Sequence, residues 1–179
     1  MERNLTQIAL FAALIAALGL IPKFTLPLGV PITGQSLGIM LAGTVLGAKR
    51  GALAVILFLG LVALGLPLLA GGRGGLGVFS GVTAGFLFGW VVAAYVTGLL
   101  AEMWAGKGGW IAPAIASAIG GILVLYPIGI IGMYLKLDAT LMGLTLSMGP
   151  FIPGDLIKCV LAGLITQGLR KARPGLVAG

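Results

Sequence analysis

Apolar residues run through the chain in six blocks, at about 5–21, 35–48, 51–69, 79–101, 110–133 and 151–169, with the polar residues falling mostly between them. Such blocks have neither the two-residue alternation of a half-buried strand nor the wide polar face of a surface helix, and they predict helices surrounded by apolar material. Most are long enough, at about 1.5 Å per residue, to cross a hydrocarbon core of about 30 Å. The second is not: about fourteen residues reach only about 21 Å. It fits a short helix in a thinned region or a re-entrant element. A further piece, Leu137 to Met148, is too short to span and predicts a lid or an interfacial helix.

Composition turns these helices into membrane helices. The chain has 179 residues, is 59% hydrophobic, and carries eleven basic and four acidic side chains at a mean hydropathy of +1.18. Too little polar surface is left to cover a soluble core, so the expected class is an all-α, polytopic integral membrane protein. Glycine, at 32 residues, is abundant and points to close helix packing and unusual loop backbone. The net charge of +7 does not imply nucleic acid, because the basic residues punctuate apolar runs instead of clustering on a face. With no histidine and only Cys159, a His/Cys metal cluster and an internal disulfide are both excluded, and Cys159, inside the last apolar block, reads as a packing residue. The run from Leu5 to Ile21 lacks a convincing small-x-small cleavage site and reads as a retained first helix.

Charge then bears on orientation. With six crossings and the N-terminus inside, Arg3, Lys49, Arg50, Lys107, Arg170, Lys171 and Arg173 are cytoplasmic, whereas Lys23, Arg73 and Lys136 are outside. Seven against three satisfies the positive-inside rule. A re-entrant second block with the N-terminus outside exchanges Arg3 and Lys23 and leaves the same ratio, so charge alone does not decide the crossing number. Both arrangements keep the C-terminus inside and Arg73 outside.

Two stripes of small residues stand at helical spacing. The first helix has Ala9, Ala13 and Ala17, with Ala12 and Ala16 alongside, and Gly77, Gly81, Gly85 and Gly89 run into the fourth. Small residues let backbones approach where no hydrophobic drive joins helices. Internal packing is the expectation for the glycines, while the alanine face serves equally for packing or for docking a partner subunit. Two loops are also unusual. Pro22 to Gln35 holds three prolines and ends in Thr33 and Gln35, a stiff connection with hydrogen-bonding groups at a helix start. Ala70 to Gly77 packs glycines around Arg73; such a loop is either a plain flexible turn or a set of exposed N–H groups beside a guanidinium fork suited to a carboxylate.

The most informative polar residues are Asp155 and Lys158, which enter an apolar run that continues to Leu169. A charge within hydrocarbon costs about 2.5–3.5 kcal/mol on insertion scales and usually faces protein or a water-filled site. At i and i+3 the two heads share one helix side, where they either neutralise each other or offer a donor and an acceptor to a third body. In the six-crossing arrangement Thr33, Gln35, Arg73, Ser80, Thr83, Asp155 and Lys158 all lie toward the outer side. Together they predict a small polar cup, capped by the first and third loops and floored by the last helix, with a helix N-terminus near Gly154 favouring an anionic group. Nucleotide and catalytic signatures are missing. No G-x-x-x-x-G-K-[ST] run occurs, and the carboxylates Glu2, Glu102, Asp138 and Asp155 include no acid pair close in sequence.

The segments Gly29-Val30-Pro31-Ile32-Thr33-Gly34-Gln35, Met40-Leu41-Ala42-Gly43, Gly71-Gly72-Arg73-Gly74-Gly75-Leu76-Gly77 and Pro153-Gly154-Asp155-Leu156-Ile157-Lys158, in this order, resemble the BioY family of biotin transporters, the substrate-binding S components of energy-coupling factor (ECF) transporters. One segment departs: where the family commonly reads G-P-T-G-G-Y, this chain has Gly81-Val82-Thr83-Ala84-Gly85-Phe86. The resemblance implies one integral membrane substrate-binding domain over residues 1–179, with six transmembrane helices and both termini cytoplasmic, in the cytoplasmic membrane of a prokaryote. It implies biotin as substrate, no cofactor, and a pocket to which Asp155, Lys158, Arg73, Thr33, Gln35, Gly74, Gly75 and Thr83 contribute. Asp155 would accept ureido N–H groups and Lys158 would meet the ureido carbonyl or the tail carboxylate; the first, preferred assignment leaves Arg73 or the glycine N–H groups near the carboxylate. It also implies a transmembrane T component and two cytoplasmic ATPases as partners, docked through Ala9, Ala13 and Ala17 and supplying the ATP chemistry. Solitary or homo-oligomeric function stays open, as do an S component for another vitamin and, as a different class, an intramembrane enzyme or assembly factor.

Overall fold

The computed structural model describes residues 2–21, 24–25 and 31–178. The first-loop residues Pro22, Lys23, Pro27, Gly29 and Val30 lie outside the described residues. Helices α1 (Glu2–Leu18), α2 (Gln35–Leu46), α3 (Ala48–Ala63) and α4 (Ala84–Met103) are followed by α5 (Ile111–Ala118) and α6 (Leu125–Tyr134), which a π-helical turn at Ile119–Val124 joins into one helix of 24 residues. A short α7 (Leu141–Ser147) and a 3-10 turn (Gly149–Phe151) lead into α8 (Ile152–Ala172). The all-helical expectation holds apart from a two-residue antiparallel ribbon in the first loop, β1 (Phe24–Thr25) against β2 (Pro31–Ile32).

The short second block is explained by its position. Ten of the twelve residues of α2 are buried, and the helix packs against α1, α3, α4 and α8. A helix surrounded by other helices is apolar all round and has no need to match the thickness of a bilayer. The outer helices carry the lipid-like exterior, with Leu53, Ile56, Phe88, Ile115, Ile157 and Leu164 exposed. Among the described residues, three helical stretches, Ala84–Met103, Ile111–Tyr134 and Leu141–Ala172, are long and apolar enough to cross a membrane by length and composition.

Several boundaries differ from those expected. Lys49 and Arg50 do not form a loop between the second and third blocks but lie in the first turn of α3. Gly47, at φ 83°, turns the chain so sharply that α3 begins one residue after it; a side chain disfavours that backbone region. Both freed helix ends are then capped, Leu46 C=O accepting from Arg50 Nε at 2.9 Å and Glu102 Oε1 accepting the Ala48 N–H at 3.2 Å. The fourth helix starts at Ala84, preceded by a 3-10 turn at Leu76–Phe79. The glycine stripe therefore serves helix packing only in its second half: a Cβ on Gly85 would stand 2.8 Å from Gly132 Cα, whereas nothing lies within 4 Å of one on Gly77.

Candidate functional site

Helix α8 opens with Pro153 near its first position, where a missing N–H costs nothing, and places Asp155 in the first turn, where the helix dipole favours a carboxylate. Lys158 follows one turn later, with Nζ 2.8 Å from Asp155 Oδ1 and with side chains only 15% and 10% exposed for Lys158 and Asp155. Two residues from other helices complete the group. Tyr126 of α6 donates its hydroxyl to Asp155 Oδ2 at 2.6 Å, and Ser36 of α2 accepts from Lys158 Nζ at 2.9 Å. The Ser36 hydroxyl also stands 3.5 Å from Asp155 Oδ1.

These contacts leave bonding capacity unused. An ammonium has three donors, and among the described residues Lys158 spends two, on Asp155 and Ser36; a carboxylate has about four acceptor positions, and among the described residues the second one on Oδ2 has no partner. Both side chains line a cavity that is open on one side. Phe86, Leu87, Trp90, Leu125, Met148 and Phe151 supply apolar walls, and Thr33, Arg73 and Thr83 add polar groups. A net-neutral polar floor under apolar and aromatic walls suits a mainly apolar ligand carrying one compact donor–acceptor group.

Of the residues expected at the cup, Asp155, Lys158, Arg73, Thr33, Gln35 and Thr83 line this one cavity. Ser80 is exposed and does not line it. Gly74 and Gly75 also do not line it. The Gly75 N–H is donated to Val62 C=O at 2.7 Å, so it is not free for a ligand, and Gly74 lies on a shallower outer groove that shares Arg73 and Thr83 with the main cavity. Gln35 lines the cavity, but its amide is engaged within the chain by Ile15, Leu68 and Ala70. Among the described residues, the Arg73 guanidinium bonds through Nε to Ala70 C=O at 3.4 Å and has no carboxylate partner. Thr33 accepts the Gln35 N–H at 3.2 Å at the start of α2.

Sequence reasoning missed Ser36, Tyr126 and the aromatic walls. The only available signals were a serine following Gln35 and a tyrosine standing beside Pro127 inside an apolar block. In the departing segment, Thr83 and Phe86 both face the cavity, so Phe86 contributes a ring where the family's pattern has a phenol. The expected lid segment, Leu137 to Met148, reaches the site through its last residue, Met148, which packs with Ile130, Met133, Leu144 and the following Phe151. Cys159 is buried with its sulfur 4.0 Å from Met40 Sδ, a packing contact as expected.

The two alanine rows part company. Ala12 is buried and Ala16 half-buried, whereas Ala9, Ala13 and Ala17 are exposed along one face of α1. At the opposite end of the molecule from the cup, the basic Arg3 and Arg50 and the acidic Glu102 border one groove with the C-terminal segment, where Val177 is buried and the Ala178 N–H bonds Val45 C=O at 2.8 Å.

Comparison with known proteins adds independent findings. The model of the BioY family matches residues 2–175. The chain is 54% identical to the biotin transporter BioY of Rhodobacter capsulatus, with 97% of this chain and 96% of that protein covered. It is 50% identical to the biotin transporter BioY of Rhizobium etli, over 98% and 97% of the two chains. The fold matches the crystal structure of an S-component for biotin from an ECF-type ABC transporter with a TM-score of 0.89 at 33% identity, covering 95% of this chain and 92% of that one. The chain belongs to the BioY family.

Proposed function

We propose that this BioY-family chain captures biotin for uptake, as the substrate-binding subunit of an ECF transporter and not as an enzyme. The observation that carries this reading is the donor and acceptor left without partners among the described residues at Lys158 and Asp155, two side chains that line an apolar cavity. A ureido ring offers the complement, N–H groups for Asp155 and a carbonyl for the third N–H of Lys158. The ring is neutral, so the net charge of the floor does not change when it binds. Trp90, Phe86 and Phe151 suit the thioether ring and the aliphatic tail, and Arg73 suits the terminal carboxylate at the mouth. Thr33 and Thr83 add hydroxyls along the way.

Calorimetric titration of the purified, detergent-solubilised chain tests this, with desthiobiotin and thiamine as comparisons. Saturable biotin binding that desthiobiotin shares, because it keeps the ureido group, is the expected result. A folded sample that ignores biotin, or prefers thiamine, overturns the reading.

The finer topology and the partners belong to the same proposal. Six crossings, by α1, α2, α3, α4, the joined α5 and α6, and α8, with both termini cytoplasmic, are supported by the gathering of Arg3 with Arg50 and the C-terminal segment at the end opposite the cup, which favours the inside N-terminus that the charge ratio alone leaves open. The site then opens outward from the cytoplasmic membrane of a prokaryote. Energy would come from partners, a transmembrane T component and two ATPases, since the chain has no nucleotide-binding loop. The exposed Ala9, Ala13 and Ala17 face is smooth enough for a partner helix to approach closely. Ala13→Trp is expected to abolish ATP-driven uptake in the assembled transporter while biotin binding by the lone chain persists; loss of binding instead would overturn the docking role.

A further inference from the structure

Gln35 is 1% exposed, and all its hydrogen bonds are made within the protein. Its Nε2 donates to Ile15 C=O at 3.2 Å and Leu68 C=O at 3.1 Å, and its Oε1 accepts the Ala70 N–H at 3.0 Å. The Ile15 carbonyl is open to this bond because Gly19 N–H, its expected helical partner, turns to Ala16 C=O at 3.0 Å as α1 ends. Space for the amide depends on residue 19: a Cβ there would stand 2.6 Å from Leu68 O and 2.8 Å from Gln35 Nε2.

Two of the three bonds hold the segment that carries Arg73. Ala70 C=O accepts from Arg73 Nε at 3.4 Å, and Leu69 and Arg73 exchange backbone bonds at 3.0 and 3.2 Å. A chain of contacts therefore runs from the Gln35 amide through Ala70 to the guanidinium, whose remaining N–H groups have no carboxylate partner among the described residues. Arginine loses less entropy on binding an anion when its fork is already held in place.

We propose that Gln35 is the positioning residue for Arg73, fixing the guanidinium at the mouth of the cavity so that the site prefers a ligand with an anionic tail to the same ligand with a neutral one. This rests on the reading that Arg73 meets the carboxylate of biotin. The test titrates the full chain with biotin and with biotin amide, whose ureido ring is unchanged. Wild type is expected to favour the acid by about tenfold, the scale of one charge-assisted hydrogen bond. Arg73→Gln is expected to erase that preference. Gln35→Leu is expected to erase most of it while weakening amide binding by less than about threefold. Gln35→Glu keeps an oxygen acceptor for the Ala70 N–H and is expected to keep part of the preference; it carries the test if the leucine variant does not fold.

Equal weakening of both ligands in the folded Gln35 variants would mean a purely structural role and overturns the inference. An intact preference in Gln35→Leu overturns it too, as does an intact preference in Arg73→Gln. Failure of wild type to bind either ligand would instead sink the biotin reading itself, so the two failures are told apart by wild type alone.

Discussion

Helices α2 and α8 meet at two polar levels, and the levels differ in what they leave unfinished. At one, Ser36 of α2 joins Lys158 and Asp155 of α8, all partly or wholly buried. At the other, the Thr166 hydroxyl donates to the Thr44 hydroxyl at 2.8 Å, both residues at 0% exposure. The threonine pair is neutral and stitches two helices where both residues are fully buried. The charged level is more costly to bury, retains a donor and an acceptor without partners among the described residues, and opens on the cavity. Polar groups on the same helix pair are thus separated by their burial and their unspent hydrogen-bonding capacity: a closed pair holds helices together, and an open one is prepared for a third body.

The sharpest way to break this contrast is to remove one charge. Asp155→Asn and Lys158→Ala each leave the other head without its charged partner and remove one of the two groups proposed to meet the ureido ring, and are expected to weaken biotin binding by about 100-fold or more. Near wild-type affinity in both variants, measured by calorimetry, would reduce the pair to a structural bridge. Tyr126→Phe removes one donor from Asp155 Oδ2 and leaves the ion pair intact, and its expected effect is smaller, about tenfold in affinity. If it instead matches the loss in Asp155→Asn, the phenol itself contacts the ligand.

The smallest effect on binding belongs to the threonine level. Thr166→Val strands the Thr44 hydroxyl and is expected to cost about 1–3 kcal/mol of stability, while biotin affinity stays within about twofold. Replacing both threonines by valine removes both polar groups and is expected to recover most of that stability. Thermal melting in detergent reads the first quantity and titration the second. A large affinity loss in either variant would join the two levels into one functional unit.

Asp155 and Lys158 were legible in the sequence because a charge inside an apolar run has so few inexpensive explanations, Arg73 and Thr33 followed from loops whose composition marked them, and Thr83 followed only from its place toward the outer side and in the family's segment. Tyr126 and Ser36 were not legible. A tyrosine or serine in an apolar block is common, and their partner Asp155 lies 29 and 119 residues away. Gln35 was visible as a polar residue at a helix start, but sequence could not distinguish an amide offered to a ligand from one consumed by Ile15, Leu68 and Ala70. Gly75 was misassigned for the same reason, since the partner of its N–H, Val62, belongs to another part of the chain.

By itself the sequence determined the class of protein, the approximate helices and the costly charges, because hydrophobicity, length and desolvation act through residues near one another in the chain. It also supplied two rows of small residues on α1 without deciding between them. Only the tertiary structure turned Ala12 inward and left Ala9, Ala13 and Ala17 on the surface, enclosed the short α2 among its neighbours, and brought Tyr126 and Ser36 to Asp155 and Lys158. Burial and hydrogen-bond partnership depend on which helices become neighbours, and that is fixed by the packing of the whole chain.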